Sequence, residues 1–264
     1  MSKHVFLKRS LVLAATLWSF GLAEPFVSGL FSVSEAFAKP VAAAVDEDIP
    51  VQLQPDRLPM LGNPNAVVTV VEFVDYQCPF CSRVQTTVKE LLKAYPSEIR
   101  LVAVPFPLAF HKDALPAAKA AHAAFLQGKF WEMHDALYAN QNNLTEDFFI
   151  SQAQALGLNV SQFKQDYYSE STEKYINKSI KDGQAAKIAG TPSFFINGEL
   201  FVGAQPLDNF KTAINNSIKR ADEYIAANKG KAQESALKGD ALYKALTDVR
   251  RIRDGISDVQ NKNR

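Results

Sequence analysis

Residues 67–81 decide the fold of this 264-residue chain, and they read Val-Val-Thr-Val-Val-Glu-Phe-Val-Asp-Tyr-Gln-Cys-Pro-Phe-Cys. The first eight are mostly β-branched and apolar, which predicts a strand buried on both faces. Apolar residues then recur at helical spacing from residue 82 to 95, and residues 99–104 predict a second strand. The order strand–helix–strand predicts that the two strands lie parallel in one sheet.

The chain has only two cysteines, Cys78 and Cys81, and they stand where the first strand ends and the helix begins. Free N–H groups and the positive end of the helix dipole stabilise a thiolate at Cys78 and lower its pKa. Pro79 fits the first helical turn. A bridge between residues three apart closes too small a loop to stabilise the fold much. The pair is therefore predicted to exchange disulfides: Cys78 attacks, a mixed disulfide forms, and Cys81 resolves it.

A zinc site and a structural disulfide are the alternatives for the two cysteines. Structural zinc takes about four ligands, and the remaining candidates, His111, His122 and His134, lie in other segments. The loop length disfavours a purely structural bridge. We therefore expect no metal and no cofactor, with Phe80 supplying an apolar lip beside the reactive pair.

Downstream of the second strand, residues 112–188 have helical patterns throughout, which predicts several consecutive helices. The run Gly190-Thr191-Pro192 ends this region. Two apolar runs then flank Asn197-Gly198, the strongest short signal for a β-hairpin. A further helix is predicted from residue 207 to about residue 227.

Three segments, in this order, resemble the DsbA-type thiol–disulfide oxidoreductases: residues 70–81, residues 127–134 (Gln-Gly-Lys-Phe-Trp-Glu-Met-His) and residues 190–198 (Gly-Thr-Pro-Ser-Phe-Phe-Ile-Asn-Gly). The resemblance covers about residues 60–220. It implies an α/β protein with a thioredoxin fold and an inserted helical domain, followed here by a C-terminal helical tail.

The resemblance also implies roles for individual residues. Cys78 matches the exposed nucleophile and Cys81 the resolving cysteine of the redox-active disulfide. Pro192 matches a cis-proline that faces this disulfide and leaves the backbone of Thr191 free to pair with a substrate strand. Phe80 and Thr191 are therefore the expected substrate-binding residues.

Glu72 is a charged residue in the middle of the otherwise apolar first strand. Burial raises the pKa of a carboxyl group, and a position beneath the disulfide would let Glu72 exchange a proton with Cys81. The alternative is that this face of the strand reaches solvent. In the DsbA-type family this glutamate is often paired with a lysine on the next strand, where this sequence offers only Arg100.

The histidines are weaker candidates for the site. His111 follows an apolar loop and could approach the cysteines, although a solvent-facing position is the favoured interpretation. His122 and His134 lie on predicted helices and are interpreted as packing or surface residues.

The first 38 residues are predicted to be a cleaved signal peptide. An apolar run, residues 11–23, is too short to span a bilayer comfortably, and it follows a basic start formed by Lys3, Lys8 and Arg9. Small residues at Ala36 and Ala38 predict cleavage before Lys39. An uncleaved membrane anchor and a buried N-terminal helix are the alternatives.

Export predicts a periplasmic or secreted protein that acts on exported proteins with cysteines, and a membrane redox partner that resets the active-site pair. The formal net charge is +1, and residues 1–38 contain three basic and two acidic residues, so the mature chain has a net charge of zero. A chain without a basic field is not expected to bind nucleic acid.

Residues 39–65 are interpreted as a leader, residues 66–229 as the thioredoxin-like domain and residues 230–264 as an amphipathic helical extension. The extension carries an apolar stripe at Leu242, Leu246, Val249, Ile252, Ile256 and Val259. Three arrangements of this helix are open: it packs on its own domain, it pairs with a second copy of the chain, or it lies on an anionic membrane surface. Because the stripe is short for a coiled coil, we expect a monomer whose activity survives truncation after Gly230.

The direction of electron flow is open between two enzymes with the same chemistry. An oxidase donates its disulfide to exported proteins, whereas a reductase or isomerase is kept as a dithiol. Pro79 after the first cysteine resembles the oxidants of the family, and Thr191 resembles its reductases and isomerases. The extracytoplasmic location favours the oxidase. A non-catalytic chaperone or binding module would need no cysteines and ranks last.

Overall fold

The computed structural model describes residues 58–253, with side chains described from residue 58 to residue 247. The predicted signal peptide, residues 1–38, lies outside the described residues, and so does the leader before residue 58. Within the described range, no helix combines the length and the apolar character needed to cross a membrane.

The centre of the described part is a mixed sheet of β1 (Met60–Gly62), β2 (Val68–Val74), β3 (Ile99–Pro105), β4 (Ser193–Ile196) and β5 (Glu199–Val202). The strands lie in the order β1-β3-β2-β4-β5. Strands β2 and β3 are parallel, as predicted, and every other neighbouring pair is antiparallel. All residues of β2 and β3 are buried, which explains their nearly unbroken apolar sequences.

The sheet begins earlier in the chain than the sequence predicts, because β1 lies inside the predicted leader, residues 39–65. Met60 pairs with Val102, and Gly62 with Arg100, along the outer edge of β3. Three partly exposed residues are too few to show a strand period. Residues 60–62 therefore belong to the folded domain, and the predicted boundary at residue 66 is too late.

Strands β4 and β5 form the predicted hairpin around Asn197-Gly198. The φ angles of these two residues are 45° and 82°, as a two-residue hairpin turn requires. The Asn197 side chain also reaches β2, where it accepts a hydrogen bond from the Thr69 N–H at 2.8 Å and donates one to the Val67 carbonyl at 2.9 Å. One turn residue therefore fixes both the hairpin and its position beside β2.

The described helices are α1 (Pro79–Ala94), α2 (Ala114–Phe125), α3 (Phe130–Ala139), α4 (Glu146–Ala155), α5 (Val160–Tyr168), α6 (Glu170–Ala185), α7 (Leu207–Asn228) and α8 (Gly239–Arg253). Helices α2 to α6 form the predicted insertion between β3 and β4. The side chains of Thr145, Asn159 and Ser169 accept hydrogen bonds at the starts of α4, α5 and α6, which fixes where those helices begin. The thioredoxin fold with a helical insertion is confirmed.

Different helices bury the two faces of the sheet, because side chains alternate along each strand. Val70 of β2 packs in a cluster with Phe210 of α7. Phe73, on the opposite face of β2, packs in a cluster with Tyr243 of α8. A third cluster contains both cysteines and the apolar side chains of the insertion. The reactive pair therefore lies where the insertion meets the sheet.

The beginning of the C-terminal extension packs back on the domain. Leu242 is completely buried, and an ion pair joins Arg100 Nη2 on β3 to Asp240 Oδ1 on α8 at 2.5 Å. For residues 239–247, the interpretation of a helix packed on its own domain is confirmed. The side chains of the stripe beyond residue 247 lie outside the described residues, and survival of activity after truncation at Gly230 stays a prediction.

Gly239 allows α8 to begin directly against the segment that follows β1. Its φ is +58°, in the left-handed region that favours glycine. A Cβ at this position would come within 2.9 Å of the Pro64 carbonyl oxygen. The glycine therefore permits a close contact between the extension and the N-terminal part of the domain.

Candidate active site

Cys78 and Cys81 lie at the N-terminal end of α1, as the sequence predicts. Cys78 precedes the helix with extended backbone angles (φ −73°, ψ 120°). Its carbonyl accepts the first hydrogen bonds of the helix from the N–H groups of Cys81 and Ser82, at 3.1 and 3.2 Å. Pro79 begins the helix, where its missing N–H removes no helical hydrogen bond. Both cysteines are free thiols.

Both thiols are less accessible than the sequence suggests. Cys78, expected to be an exposed nucleophile, is only 3% exposed, and Cys81 is completely buried. The loop before β4 contacts Cys78, whose sulfur lies 3.3 Å from the Thr191 carbonyl oxygen and donates a hydrogen bond to it when the thiol is protonated. The Thr191–Pro192 peptide bond in this loop is cis. Cys78 is therefore less exposed than the resemblance implies, because the proline loop packs against it.

The two thiols differ strongly in acidity. A hydrogen bond from the Cys81 thiol lowers the pKa of Cys78 to about 5, against the opposing effect of burial. Burial raises the pKa of Cys81 far above its usual value, and the hydrogen bond with Cys78 raises it further. Near neutral pH the pair therefore holds a thiolate at Cys78 and a protonated thiol at Cys81.

Glu72 is completely buried in β2, so the alternative that its strand face reaches solvent is wrong. Burial raises the pKa of Glu72 to about 8, and a hydrogen bond from Gln85 partly offsets the increase. Gln85 Nε2 donates to Glu72 Oε1 at 2.9 Å. The other carboxyl oxygen, Oε2, has no hydrogen-bond partner among the described residues.

Arg100 does not pair with Glu72, because the two side chains lie on opposite faces of the sheet. In the register of β2 and β3, Glu72 lies beside Ala103 and Thr69 beside Arg100. Ala103 lies three positions after Arg100 along β3, so their side chains point in opposite directions. Arg100 instead donates from Nε to the Thr69 hydroxyl at 2.8 Å and pairs with Asp240.

A buried chain of polar side chains leads away from Glu72. Gln85 Oε1 lies 3.2 Å from His134 Nε2, and His134 Nδ1 lies 3.1 Å from the Tyr76 hydroxyl. His134 is 1% exposed, so of its two interpretations the packing position is confirmed and the surface position is wrong. The sequence contained a signal for this group: Gln85 is four residues after Cys81, and His134 is four residues after the buried Phe130, so helical spacing places each on an inward face.

His111 also differs from the solvent-facing interpretation. Its Nδ1 lies 2.8 Å from Asp75 Oδ2, and the imidazole is mostly buried. The same carboxylate accepts hydrogen bonds from the backbone N–H groups of Gln77, Cys78 and Leu108 at 2.8, 3.1 and 2.9 Å. Asp75 therefore ties the loop of the nucleophile to the loop of His111.

Two further side chains hold the loop before α1. Gln77 accepts a hydrogen bond from the Asp113 N–H at 2.8 Å and donates one to the Asp113 carboxylate at 3.2 Å. Gln141 Nε2 donates to the carbonyl oxygens of Tyr76 and Cys78 at 2.8 and 3.0 Å. The backbone around Cys78 is therefore held by residues of the insertion and of the loop before it.

Two predicted candidates remain, His122 and Phe80, and neither belongs to the buried polar side chains described above. His122 stacks on Tyr175 with ring centres 4.0 Å apart, and burial lowers the pKa of His122 to about 4. His122 is therefore a packing residue, one of its two interpretations from the sequence. Phe80 is half exposed next to Cys78.

Comparison with known proteins identifies the family to which this chain belongs. A family model described as "Thioredoxin" matches residues 56–216, more than half of the chain. "Probable disulfide bond formation protein D" from Bacillus cereus is 34% identical over 173 residues, which cover 61% of this chain and 78% of that protein. The structure of the thiol-disulfide exchange protein alpha-DsbA2 from Wolbachia pipientis is 26% identical, with a TM-score of 0.55, and the match covers 60% of this chain and 86% of that one.

A further relative bears a different name. "Na(+)/H(+) antiporter NhaA 3" from Salinispora tropica is 35% identical over 175 residues, which cover 66% of this chain but only 27% of that protein. This chain therefore spans about a quarter of the length of that relative. The reactive cysteine pair at a helix N-terminus, the sheet order and the matched family model lead to one conclusion: the chain belongs to the thioredoxin family, among its DsbA-type thiol–disulfide oxidoreductases.

Proposed function

We propose that this protein is an extracytoplasmic oxidase that transfers the Cys78–Cys81 disulfide to thiols of exported proteins. The observation that supports this direction most is the pKa of about 5 at Cys78 next to a buried, protonated Cys81. Stabilisation of the thiolate favours the reduced form of the pair, so the disulfide form is the stronger oxidant. A reductase or isomerase that is kept as a dithiol would be better served by a less stabilised thiolate.

In the proposed reaction, a substrate thiolate attacks the Cys78 sulfur of the disulfide. The bond between Cys78 and Cys81 breaks, the substrate sulfur bonds to Cys78, and Cys81 leaves as a thiolate that takes up a proton. A second substrate thiolate attacks the substrate sulfur of this mixed disulfide, and Cys78 leaves as the stabilised thiolate. Two electrons pass from the substrate thiols to the cysteine pair.

Glu72 is the proposed source of the proton for Cys81. With a pKa of about 8, its carboxyl group is mostly protonated at neutral pH and becomes a carboxylate when it gives the proton away. When Cys81 later attacks a mixed disulfide at Cys78 to restore the bridge, the carboxylate accepts the proton again. The pKa of Glu72 lies close to the working pH, which suits a group that must act in both directions.

The surface next to Cys78 supports a role in binding an extended, partly apolar substrate segment. Phe80 is 51% exposed, and large apolar side chains that remain exposed commonly mark binding surfaces. In this proposal Phe80 contacts the substrate, the backbone of Thr191 pairs with it, and Pro192 shapes the access to the disulfide. The protein acts as a monomer in the periplasm or outside the cell, and a membrane redox partner restores the disulfide.

The redox potential of the Cys78–Cys81 couple tests the direction of the reaction. Lowering a thiol pKa from 9.0 to about 5 favours the reduced form at pH 7 by roughly 3 kcal/mol, or about 60 mV for two electrons. We expect a potential between about −180 and −120 mV in glutathione buffers, in the range of oxidising members of the fold. A value near that of reducing thioredoxin, about −270 mV, would contradict an oxidase.

The pH dependence of the same potential provides an internal control. Above pH 5 the reduction takes up one proton, at Cys81, and the potential should change by about 30 mV per pH unit. Below pH 5 the Cys78 thiolate is also protonated, its stabilising contribution is lost, and the slope should approach about 59 mV per pH unit. A slope without a break near pH 5 would show that Cys78 is not the acidic thiol.

A further inference from the structure

The hydrogen bonds beyond Glu72 can be given donors and acceptors. Gln85 must turn its amide nitrogen toward Glu72 Oε1 to donate to a carboxylate, which leaves Gln85 Oε1 as an acceptor. His134 then donates from Nε2 to Gln85 Oε1, and its Nδ1 accepts from the Tyr76 hydroxyl. Each group in this chain donates to the next, in the order Tyr76, His134, Gln85, Glu72. We refer to these four side chains as the Glu72 chain.

Near neutral pH the three supporting members of the Glu72 chain are uncharged. Burial lowers the pKa of His134 to about 3 and raises the pKa of Tyr76 well above its usual value, while Gln85 does not titrate. The other titratable groups that interact with the chain are Cys81 on α1, Asp135 and Tyr138 on α3, and Tyr175 on α6, and burial raises the pKa of both tyrosines. Asp135 raises the pKa of His134 and Lys89 lowers it, and these two exposed side chains form an ion pair with each other. Glu72 is therefore the member of the chain that changes charge between pH 6 and pH 9.

Gln85 connects this chain to the resolving cysteine. The same amide nitrogen that donates to Glu72 also lies 3.3 Å from the carbonyl oxygen of Cys81, one helical turn earlier. The carboxyl group is thereby held by Oε1, while Oε2 has no partner among the described residues. Gln85 therefore contacts both the carboxyl group and the backbone of the resolving cysteine, and it leaves Oε2 as the carboxyl oxygen that can carry a proton.

We propose that Gln85 and His134 are positioning residues, which hold the Glu72 carboxyl group in the orientation that exchanges a proton with Cys81. This inference rests on the proposed role of Glu72. His134 acts through Gln85, because its N–H fixes which end of the Gln85 amide faces Glu72. Among the described hydrogen bonds, neither side chain donates to or accepts from a cysteine sulfur. Both are therefore expected to act on the rate and pH dependence of the resolving step rather than on the attack by Cys78.

The resolving step can be isolated with a small aromatic disulfide. Cys78 of the reduced protein attacks 5,5′-dithiobis(2-nitrobenzoate), forms a mixed disulfide with one half of the reagent and releases the other half as thionitrobenzoate. Cys81 then loses its proton to the Glu72 carboxylate and attacks the Cys78 sulfur. The protein disulfide forms, and the second thionitrobenzoate leaves as a coloured thiolate. In the wild-type protein we expect the rate of this second release to rise with pH around a midpoint near 8, the pKa of Glu72.

Gln85→Met keeps the length of the side chain and removes its hydrogen bonds. The Gln85 hydrogen bond lowers the pKa of Glu72, so its loss should move the midpoint upward by about one pH unit and slow the second release at pH 7 about 10-fold. His134→Phe should shift the midpoint in the same direction, and His134→Gln, which retains an N–H donor, should restore most of the wild-type profile. The first release, by Cys78, should change less than about twofold in all three variants.

Two comparisons separate this inference from the role of Glu72 and from general damage to the fold. Glu72→Gln should remove the midpoint near pH 8, and adding Gln85→Met to it should cause no further change in the profile. An unchanged profile in Glu72→Gln would overturn the proposed role of Glu72 itself. If Glu72→Gln removes the midpoint but Gln85→Met and His134→Phe leave it at the wild-type pH, only the positioning role is wrong. Gln154→Met, the same substitution at an exposed position of α4, is the matched control and should change neither release. If Gln85→Met does not fold, the two His134 variants decide the question.

Discussion

At pH 6, we expect iodoacetamide to modify Cys78 of the reduced protein at least about 100-fold faster than Cys81. The reacting species is the thiolate, and a pKa of about 5 leaves Cys78 about 90% ionised at this pH. Burial keeps Cys81 protonated, and it is completely inaccessible. Peptide mapping by mass spectrometry after timed quenching would give both rates.

The pH profile of the alkylation identifies its cause. The rate at Cys78 should fall as the pH is lowered through 5, whereas an ordinary thiol would lose its reactivity already below about pH 9. Cys78→Ser leaves Cys81 as the one thiol and should react slowly throughout this range. Comparable modification of the two cysteines in the wild-type protein would refute the arrangement of an acidic thiolate above a buried thiol.

Asp240→Ala should lower the free energy of unfolding by about 2 kcal/mol, which corresponds to a fall in Tm of roughly 4–8 °C. The guanidinium of Arg100 is almost fully buried, and Asp240 is its charged partner. Removing one member of a buried ion pair leaves the other charge without compensation and costs about 3–5 kcal/mol. The Asp240 carboxylate is one-third exposed, so water reaches the site and the expected loss is smaller. Urea unfolding of the reduced protein would measure it.

The control for Asp240→Ala is Asp208→Ala, which removes an exposed carboxylate from the first turn of α7. This control measures the stability lost when an acidic residue is removed from a helix N-terminus without an ion pair being broken, which is about 0.3–1 kcal/mol. Arg100→Met combined with Asp240→Ala should be less destabilising than the sum of the two single changes, because it removes both charges. If Asp240→Ala destabilises no more than Asp208→Ala, the ion pair does not hold the extension on the sheet.

Much of the fold and the reactive pair could be predicted from local patterns. The apolar run of β2 indicates a buried strand, and the two cysteines with Pro79 between them indicate a helix N-terminus with an acidic thiol. Asn197-Gly198 indicates the hairpin turn. Each of these signals is carried by neighbours in sequence, so no knowledge of the tertiary contacts is needed to interpret it.

The remaining parts of the site depend on contacts between distant segments. Arg100 is kept away from Glu72 by the register of β2 and β3. A shift of this register by one residue would place the Arg100 side chain on the other face of the sheet. His134 and Gln85 lie on two helices that meet only after the insertion packs on α1. His111 reaches Asp75 through a loop whose course no periodicity indicates. In each case, polar side chains become a site because of packing that the local sequence does not encode.

The docking of α8 has a consequence for the order in which this protein can mature. Arg100 and Asp240 are separated by 140 residues, and Gly239 fits against the carbonyl of Pro64. During synthesis, Arg100 is present in the chain well before its partner Asp240. The cysteine pair, Glu72 and the proline loop all precede residue 193, so the chemical centre is complete in the chain before the segment that neutralises Arg100 arrives. The reactive residues and the carboxylate that pairs with Arg100 are therefore supplied by different stretches of the same polypeptide, and the carboxylate is synthesised last.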